Sequence, residues 1–390
     1  MRVVISVIRP FHSVLMANTL TKDHHDVTLY SSAPRKFFKG LAAATKTRLI
    51  PAPLATMSRF TGHKFHVDTV THEGFFFDRA VSILLGNLDV YIGWAGLSLY
   101  SGLAAKRKGG RYALDRACPH HDFQQDIIRE ESARLGSDFV ESPAWYREHV
   151  VREYEEADAI LVPSDYSARS FPAALRSKLI KAPLIGRCHV PESVPEKRNE
   201  TFTVGIVGGE PRRKGFIYLL QAWKKLGLPN ARLLIRTSAD LSQYPVLNEL
   251  LKELPNVELV RFVPNISEFY QRCDAFVLSS VDDGFGMVLF EAMANGVPCI
   301  ATRNCGASEL LTNGKDGIVI DARSDEQLAE ALLRLYQNEE ERLSIARKGR
   351  QTALHIASGE GARMYEQAIL KMLTVDSAQV RAVPVSSHGA

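Results

Sequence analysis

Asp274 to Thr302 reads D-A-F-V-L-S-S-V-D-D-G-F-G-M-V-L-F-E-A-M-A-N-G-V-P-C-I-A-T. Ala275 to Leu278 is a short apolar run of strand character, Gly284 and Gly286 break it, and a helical stretch follows. Asn295-Gly296 with Pro298 shortly after is a helix stop, and Pro298 to Ala301 reads as the next strand. The unit is therefore strand, glycine loop, helix, strand, one repeat of a parallel α/β winding. The two glycines permit a tight turn and close backbone approach. The helix behind them turns its free N–H groups and positive dipole end toward the loop, where a diphosphate fits. Glu291 lies eight residues after Asp283, so at ~1.5 Å of rise per helical residue the two carboxylates are at most about 12 Å apart. That spacing suits one carboxylate at a sugar and one at a ribose, with phosphates between. An ordinary Rossmann-type crossover has the same outline, and spacing alone does not separate the two readings.

Outward from this unit the same alternation continues. In the second half the strand-like runs are Thr203 to Val207, Arg232 to Ile235, Val257 to Phe262 and Ile318 to Ile320, with helical segments between them. In the first half they are Arg2 to Val7, Asp26 to Tyr30, Asp89 to Ile92, Arg111 to Leu114 and Ala159 to Val162. Two parallel sheets covered by helices are expected. Ser324, three residues before Gln327 and ahead of the apolar-periodic Leu328 to Tyr336, predicts a capping box at a late helix. The polar, proline-bearing stretch from about Gly186 to Phe202 is the expected linker. The division that follows is an amino-terminal Rossmann-like domain at 1–188, a linker at 189–202 and a carboxy-terminal one at 203–355. A last helix, 356–375, is expected to cross back to the first domain, and 376–390 is an expected flexible tail.

Composition bounds the function. The chain has 390 residues, 45% hydrophobic and 24% charged, with a net charge of +4, which fits two globular α/β domains and carries no general nucleic-acid footprint. Five cysteines without CxxC spacing argue against a disulfide framework or structural zinc and for a reducing, cytoplasmic setting. The apolar run Val3 to Ile8 is interrupted by Arg9, Pro10 and His12 too early for a signal peptide or membrane span. No metal site is expected: His120, His121 and Asp122 have no further ligands at suitable spacing, and the first half has no Asp-x-Asp after a strand.

The Asp274 to Thr302 stretch resembles the Glu-x7-Glu signature of family-four retaining glycosyltransferases, the glycosyl transferases group 1. Asp283 stands where that family's first Glu does, and Glu291 keeps the second. Further family-like stretches are E-A-D-A-I-L-V-P-S at Glu156 to Ser164 and N-C-G-A-S-E at Asn304 to Glu309, so the resemblance runs from about Asp89 to Lys371. It implies a GT-B fold, two Rossmann-like domains facing across a cleft, and a nucleotide-diphosphate sugar as co-substrate, with no cofactor. By resemblance Asp283 lies against the donor sugar and Glu291 holds the ribose, while the backbone of Gly284, Phe285, Gly286 and Met287 meets the phosphates.

Three other segments bear on the site. V-G-I-V-G-G-E-P-R-R-K-G, Val204 to Gly215, places Lys214 just after a strand, where an ammonium neutralises a departing diphosphate. The family carries a comparable Lys-Gly, but its usual Arg six residues earlier is Gly208 here, and Arg212 or Arg213 is the replacement charge, unless both are solvated loop residues. L-D-R-A-C-P-H-H-D, Leu114 to Asp122, resembles a segment in which a histidine lies near the cleft; His120 is the better match, against the alternative of a helix-start residue that merely caps or packs. The family's glycine pair after the first strand is replaced by R-P-F-H-S, Arg9 to Ser13, where His12 either makes polar contacts or packs.

The activity implied is transfer of a sugar, with retention and without metal, from a nucleotide-diphosphate donor to a hydroxyl on a polysaccharide or glycolipid intermediate. Two alternatives stay open: a nucleotide-sugar epimerase or hydrolase on the same plan, and a non-catalytic subunit of a polysaccharide assembly system. P-R-K-F-F-K-G, Pro34 to Gly40, with Lys46 and Arg48, mixes basic and aromatic side chains. That mixture fits either an ordinary surface or contact with anionic lipid at the inner face of a membrane.

Overall fold

The computed structural model describes residues 1–10, 12–50, 67–184, 191, 194 and 200–374. The expected tail lies outside them, as do most residues expected as linker. The first sheet is built from β1 (Arg2–Val7), β2 (Asp26–Ser31), β3 (Lys46–Leu49), β4 (Val90–Trp94), β5 (Arg111–Asp115), β6 (Ala159–Val162) and β7 (Leu179–Lys181). Its order is β3-β2-β1-β4-β5-β6-β7, and every pairing is parallel. The second sheet comprises β8 (Phe202–Val207), β9 (Ala231–Arg236), β10 (Val257–Val260), β11 (Ala275–Leu278), β12 (Cys299–Thr302) and β13 (Ile318–Ile320). Its order is β10-β9-β8-β11-β12-β13, again all parallel.

Strands such as β6, β8, β11 and β12 are buried along their whole length, as short, mainly apolar runs without polar alternation are when helices cover both faces. The helices of the first half are α1 (Ser13–Lys22), α2 (Val67–Leu84), α3 (Leu99–Arg107), α4 (His121–Leu135), α5 (Ala144–Glu156) and α6 (Asp165–Arg169). Those of the second are α7 (Phe216–Leu226), α8 (Pro245–Glu253), α9 (Ile266–Gln271), α10 (Met287–Ala294), α11 (Asp325–Gln337) and α12 (Glu339–His355), and a final helix, α13, spans Gly361–Thr374. The capping box at α11 is half formed: Ser324 Oγ accepts from Gln327 N at 3.2 Å, but the Gln327 amide reaches Asp321 N rather than Ser324.

The chain kinks after α12 at Gly359, whose φ of +129° is closed to most L residues. Beyond the kink α13 returns to the first sheet. Tyr365, Ala368, Ile369, Met372 and Leu373 bury themselves in one core with Val3, Ile5, Val14 and Leu20. In the opposite sense, Ile127 and Leu135 of α4 pack into the core beneath the second sheet. Each half thus contributes a helix to the other's core.

In both sheets the strand order reverses between the first and fourth strands, β1/β4 and β8/β11. Crevices outside the carboxyl ends of strands at such a reversal are where open α/β sheets bind ligands. His12, Trp94 and Asp115 lie at that edge of the first sheet; Gly208 to Gly215 and Ser279 to Gly286 lie at that edge of the second. No helix among the described residues is long and apolar enough to cross a membrane.

Candidate active site

The loops after β8 and β11 meet through side chains. Lys214 Nζ contacts Asp283 Oδ2 directly, both groups mostly buried. The backbone holds the two loops together as well, since Val281 N donates to Arg213 O at 2.9 Å and Ser279 Oγ donates to the carbonyls of Lys214 and Gly215 at 3.0 Å each. Each loop ends in a glycine with left-handed backbone, Gly215 at φ +62° and Gly286 at +85°. Each of these glycines is the N-cap of the next helix, α7 or α10, and neither helix has a side-chain cap or an acid in its first turn. A Cβ at either position would also collide, with Ser279 O at 2.1 Å or Cys305 Sγ at 2.4 Å. Phe216 N and Tyr218 N of α7 already donate to Pro211 O and Gly215 O, and Leu289 N of α10 to Gly286 O, so what the two helices bring beside Lys214 is the positive end of their dipoles, a setting that favours negative charge.

Glu291 stands one turn into α10, and its Oε2 accepts from the buried hydroxyl of Tyr270 at 2.9 Å. Phe285 is buried and stacks on Phe290 with ring centroids 5.9 Å apart, so only its backbone belongs to the loop surface. Met287 opens α10 and is partly buried.

The two arginines part company. Arg213 donates to Asp282 Oδ2 at 2.8 Å and is partly buried; desolvation opposes its charge, but the surrounding Cys118, Asp282 and Asp283 raise its pKa above the ordinary arginine value. Arg212 turns away to Glu210 at 2.7 Å and Ser132 at 3.1 Å.

Sequence reading did not single out Asp282. It is fully buried, and besides Arg213 it accepts from Gln124 Nε2 at 2.8 Å and Tyr166 OH at 3.2 Å, both from the first half. Next to it Ser164 Oγ donates to Gly284 O at 2.7 Å, and Glu309 accepts the N–H groups of Asp165 and Tyr166 at 3.0 and 2.7 Å, capping α6 from the opposite domain. The glycine loop after β11 is therefore clasped by the amino-terminal domain.

His120 follows the loop whose Ala117 carbonyl abuts Gly284. It is the N-cap of α4: its Nδ1 accepts from Asp122 N at 3.3 Å, and its ring packs on Tyr154 and Phe171. Burial lowers its pKa, and burial with Arg116 alongside takes His121 down to about 4. At the reversal of the first sheet His12 Nε2 contacts Asp115 Oδ2, and the same oxygen accepts from Trp94 Nε1 at 3.1 Å. Among the described residues no three His, Cys, Asp or Glu side chains gather as metal ligands do.

Residues 192–352 match the family described as Glycosyl transferases group 1. That region, about two fifths of the chain, is similar to the group 1 glycosyltransferases. The capsular polysaccharide biosynthesis glycosyltransferase CapM of Staphylococcus aureus is 32% identical over 160 residues, 39% of this chain and 41% of CapM. The D-inositol 3-phosphate glycosyltransferase of Corynebacterium urealyticum is 32% identical over 156 residues, 37% of each chain. The chain thus matches about two fifths of the length of these curated relatives. Solved structures match nearly throughout. Anabaena HepE in complex with UDP has a TM-score of 0.66 at 16% identity, covering 96% of this chain and 100% of that one. Sucrose-phosphate synthase from Thermosynechococcus elongatus has a TM-score of 0.69 at 16% identity with the same coverage. At such identity the likeness concerns the fold, which is GT-B, so the region similar to group 1 is the second of two facing Rossmann-like domains.

Proposed function

We propose that this protein is a retaining, metal-independent glycosyltransferase that moves a sugar from a nucleotide-diphosphate donor to a hydroxyl of a polysaccharide or glycolipid intermediate. The observation that carries the reading is the Lys214–Asp283 pair set between two glycine-capped helix ends, with Glu291 oriented one turn along the second helix. The similarity of that domain to group 1 and UDP in the HepE structure support a nucleoside diphosphate as the anion.

In this reading the diphosphate takes the place of Asp283 at the Lys214 ammonium and the positive ends of α7 and α10, through the backbone of Gly284 to Met287. Asp283 turns to the donor sugar and Glu291 grips the ribose. The bond from the anomeric carbon to the diphosphate oxygen breaks as the acceptor oxygen bonds the same face of that carbon. The acceptor's proton passes to the departing phosphate oxygen, and configuration is retained. The protein supplies position, charge neutralisation and exclusion of water, and no side-chain nucleophile. Arg213 adds positive field behind the loop, and His120 borders the cleft from the opposite domain.

A donor screen tests this reading. The purified chain, in chelator, is incubated with a panel of nucleotide sugars with and without a lipid-linked oligosaccharide extract. Acceptor-dependent nucleotide release is the expected result. Acceptor-independent consumption would instead indicate an epimerase or hydrolase, and no donor binding a non-catalytic subunit. Work at the inner face of a membrane is part of the proposal, supported by half-exposed Phe37 and Leu49 beside Lys36, Lys39 and Arg48. Arg35 and Lys46 are already engaged, with Thr45 O and Asp26. Flotation with anionic vesicles checks it, and absence of binding removes it.

A further inference from the structure

The first sheet places a histidine, a carboxylate and an indole together at its ligand-binding edge. His12 follows β1, Trp94 ends β4 and Asp115 ends β5, three strands that lie side by side. The His12 ring is 8% exposed and Asp115 is 6% exposed. Trp94 stacks on His12 at 5.5 Å between centroids, and Tyr365 of α13 meets the ring edge-on at 6.4 Å. The ring is thus fixed on one face and one edge.

Asp115 Oδ2 receives both the His12 Nε2 contact and the Trp94 Nε1–H. A carboxylate only accepts, so His12 Nε2 carries the proton, and in the neutral ring Nδ1 keeps a lone pair. No described residue hydrogen-bonds that Nδ1. A carboxylate that fixes a tautomer and leaves the far nitrogen available is the orienting half of a general acid–base or ligand-binding pair. For structure alone, a buried aromatic or leucine would serve with no charge to bury.

The pair is also close to the donor loop. Ala117, two residues beyond Asp115, sets its carbonyl against Gly284, where an added Cβ would stand 2.4 Å away. Two extended residues span at most about 7 Å, so Asp115 is no more than one short step from the glycine loop.

We infer that His12 Nδ1 is an acceptor-site ligand that receives the hydrogen of a hydroxyl on a sugar or polyol acceptor, with Asp115 as the positioning residue that sets its tautomer. The hydroxyl bound is not the attacking one, whose proton travels to the leaving diphosphate, but another on the same acceptor ring. The inference rests on the transferase reading and adds to it the chemistry of the acceptor, a polyhydroxylated ring.

The test uses the full chain labelled with 15N in the histidine rings, titrated first with UDP or GDP and then with methyl glucoside, methyl mannoside or inositol. The His12 signal is identified by its loss in His12→Asn. An unprotonated Nδ1 that moves on addition of one of these polyols is expected. Affinity for that polyol should fall about tenfold in His12→Ala, the worth of one hydrogen bond in a desolvated site, and return most of the way in His12→Asn, whose amide oxygen reaches a similar point. Asp115→Asn should move the tautomer and weaken the same polyol, with nucleotide affinity unchanged in all three variants. A protonated Nδ1, or a His12 signal indifferent to every polyol in protein that binds nucleotide, overturns the assignment. Failure to bind either nucleotide overturns the transferase reading itself.

Discussion

Gly208 lies against the stem of Lys214, so that a Cβ on Gly208 would stand 2.6 Å from Lys214 Cγ. The absent arginine of the group 1 pattern and the position of the lysine are therefore one feature: the lysine stem occupies space that a side chain at 208 would need. Installing the family's residue is expected to displace Lys214 from Asp283 rather than reinforce it. Gly208→Arg should raise the donor KM and lower turnover, and Gly208→Ala should do so more mildly, by about threefold to tenfold for a displaced charge. Steady-state kinetics decide, and a gain of activity in Gly208→Arg would reverse the argument.

Removing the charge itself should be more severe. Lys214→Ala is expected to cut turnover by about 10²–10³, the usual loss of one electrostatic contact to a leaving group, while the melting temperature moves by only a few degrees. Asp283→Glu, one methylene longer, should change the preference among donor sugars more than nucleotide affinity. Competition between nucleotide sugars reads the first and calorimetry with the free nucleotide the second. Equal turnover in wild type and Lys214→Ala would sink the assigned role.

Asp282 is expected to matter for stability rather than chemistry. Substituting Ala removes the ion-pair partner of the partly buried Arg213 and an acceptor from Gln124 and Tyr166 of the opposite domain. Loss of about 1–3 kcal/mol follows from leaving a partly buried charge and its neighbouring donors without their acceptor. The urea midpoint measures it, and small-angle scattering should show a larger radius as the clasp on the donor loop loosens. An unchanged midpoint would mean that the clasp holds without this residue.

His121 sets a pH dependence. Its Nε2 is buried without a partner, and burial, with Arg116 alongside, brings its pKa from 6.5 to about 4. The unfolded chain therefore binds more protons than the folded one between these values, and stability falls as pH drops through 6.5 toward 4. At about 1.4 kcal/mol per unit the total is at most about 3 kcal/mol. Melting temperatures from pH 7 to 5 should fall less steeply in His121→Phe, which keeps a ring of similar shape. Parallel curves would assign the slope to other groups.

How much of this was legible beforehand follows the range of each signal. Central strands such as Ala275–Leu278 and Ala159–Val162 coincide with their apolar runs because both faces are covered. β3, K-T-R-L, was missed because it is an exposed edge strand, where charge is favoured and apolar periodicity absent. β7 is only three residues long. The donor loop was readable because glycine, acid and helix signals sit within a few residues of one another. What separates Asp282 from Asp283 is not local. One faces the other domain and its neighbour faces Lys214, and no spacing rule distinguishes two adjacent aspartates. Tyr270 behind Glu291, Glu309 on α6 and Asp115 beneath His12 depend in the same way on contacts between distant segments. His120 shows the converse: the capping alternative read from its place at a helix start is the contact its Nδ1 makes.

The return of α13 to the first sheet bears on how the molecule is made. Its residues Tyr365 to Leu373 finish a core begun by Val3 and Ile5, so that core waits, during synthesis, for the whole of the intervening domain to emerge from the ribosome. At roughly 5–20 residues per second, that delay is tens of seconds. The second sheet, by contrast, is complete by Ile320. The amino-terminal half, although translated earlier, is finished last, and until then exposes the apolar seam that a chaperone would recognise.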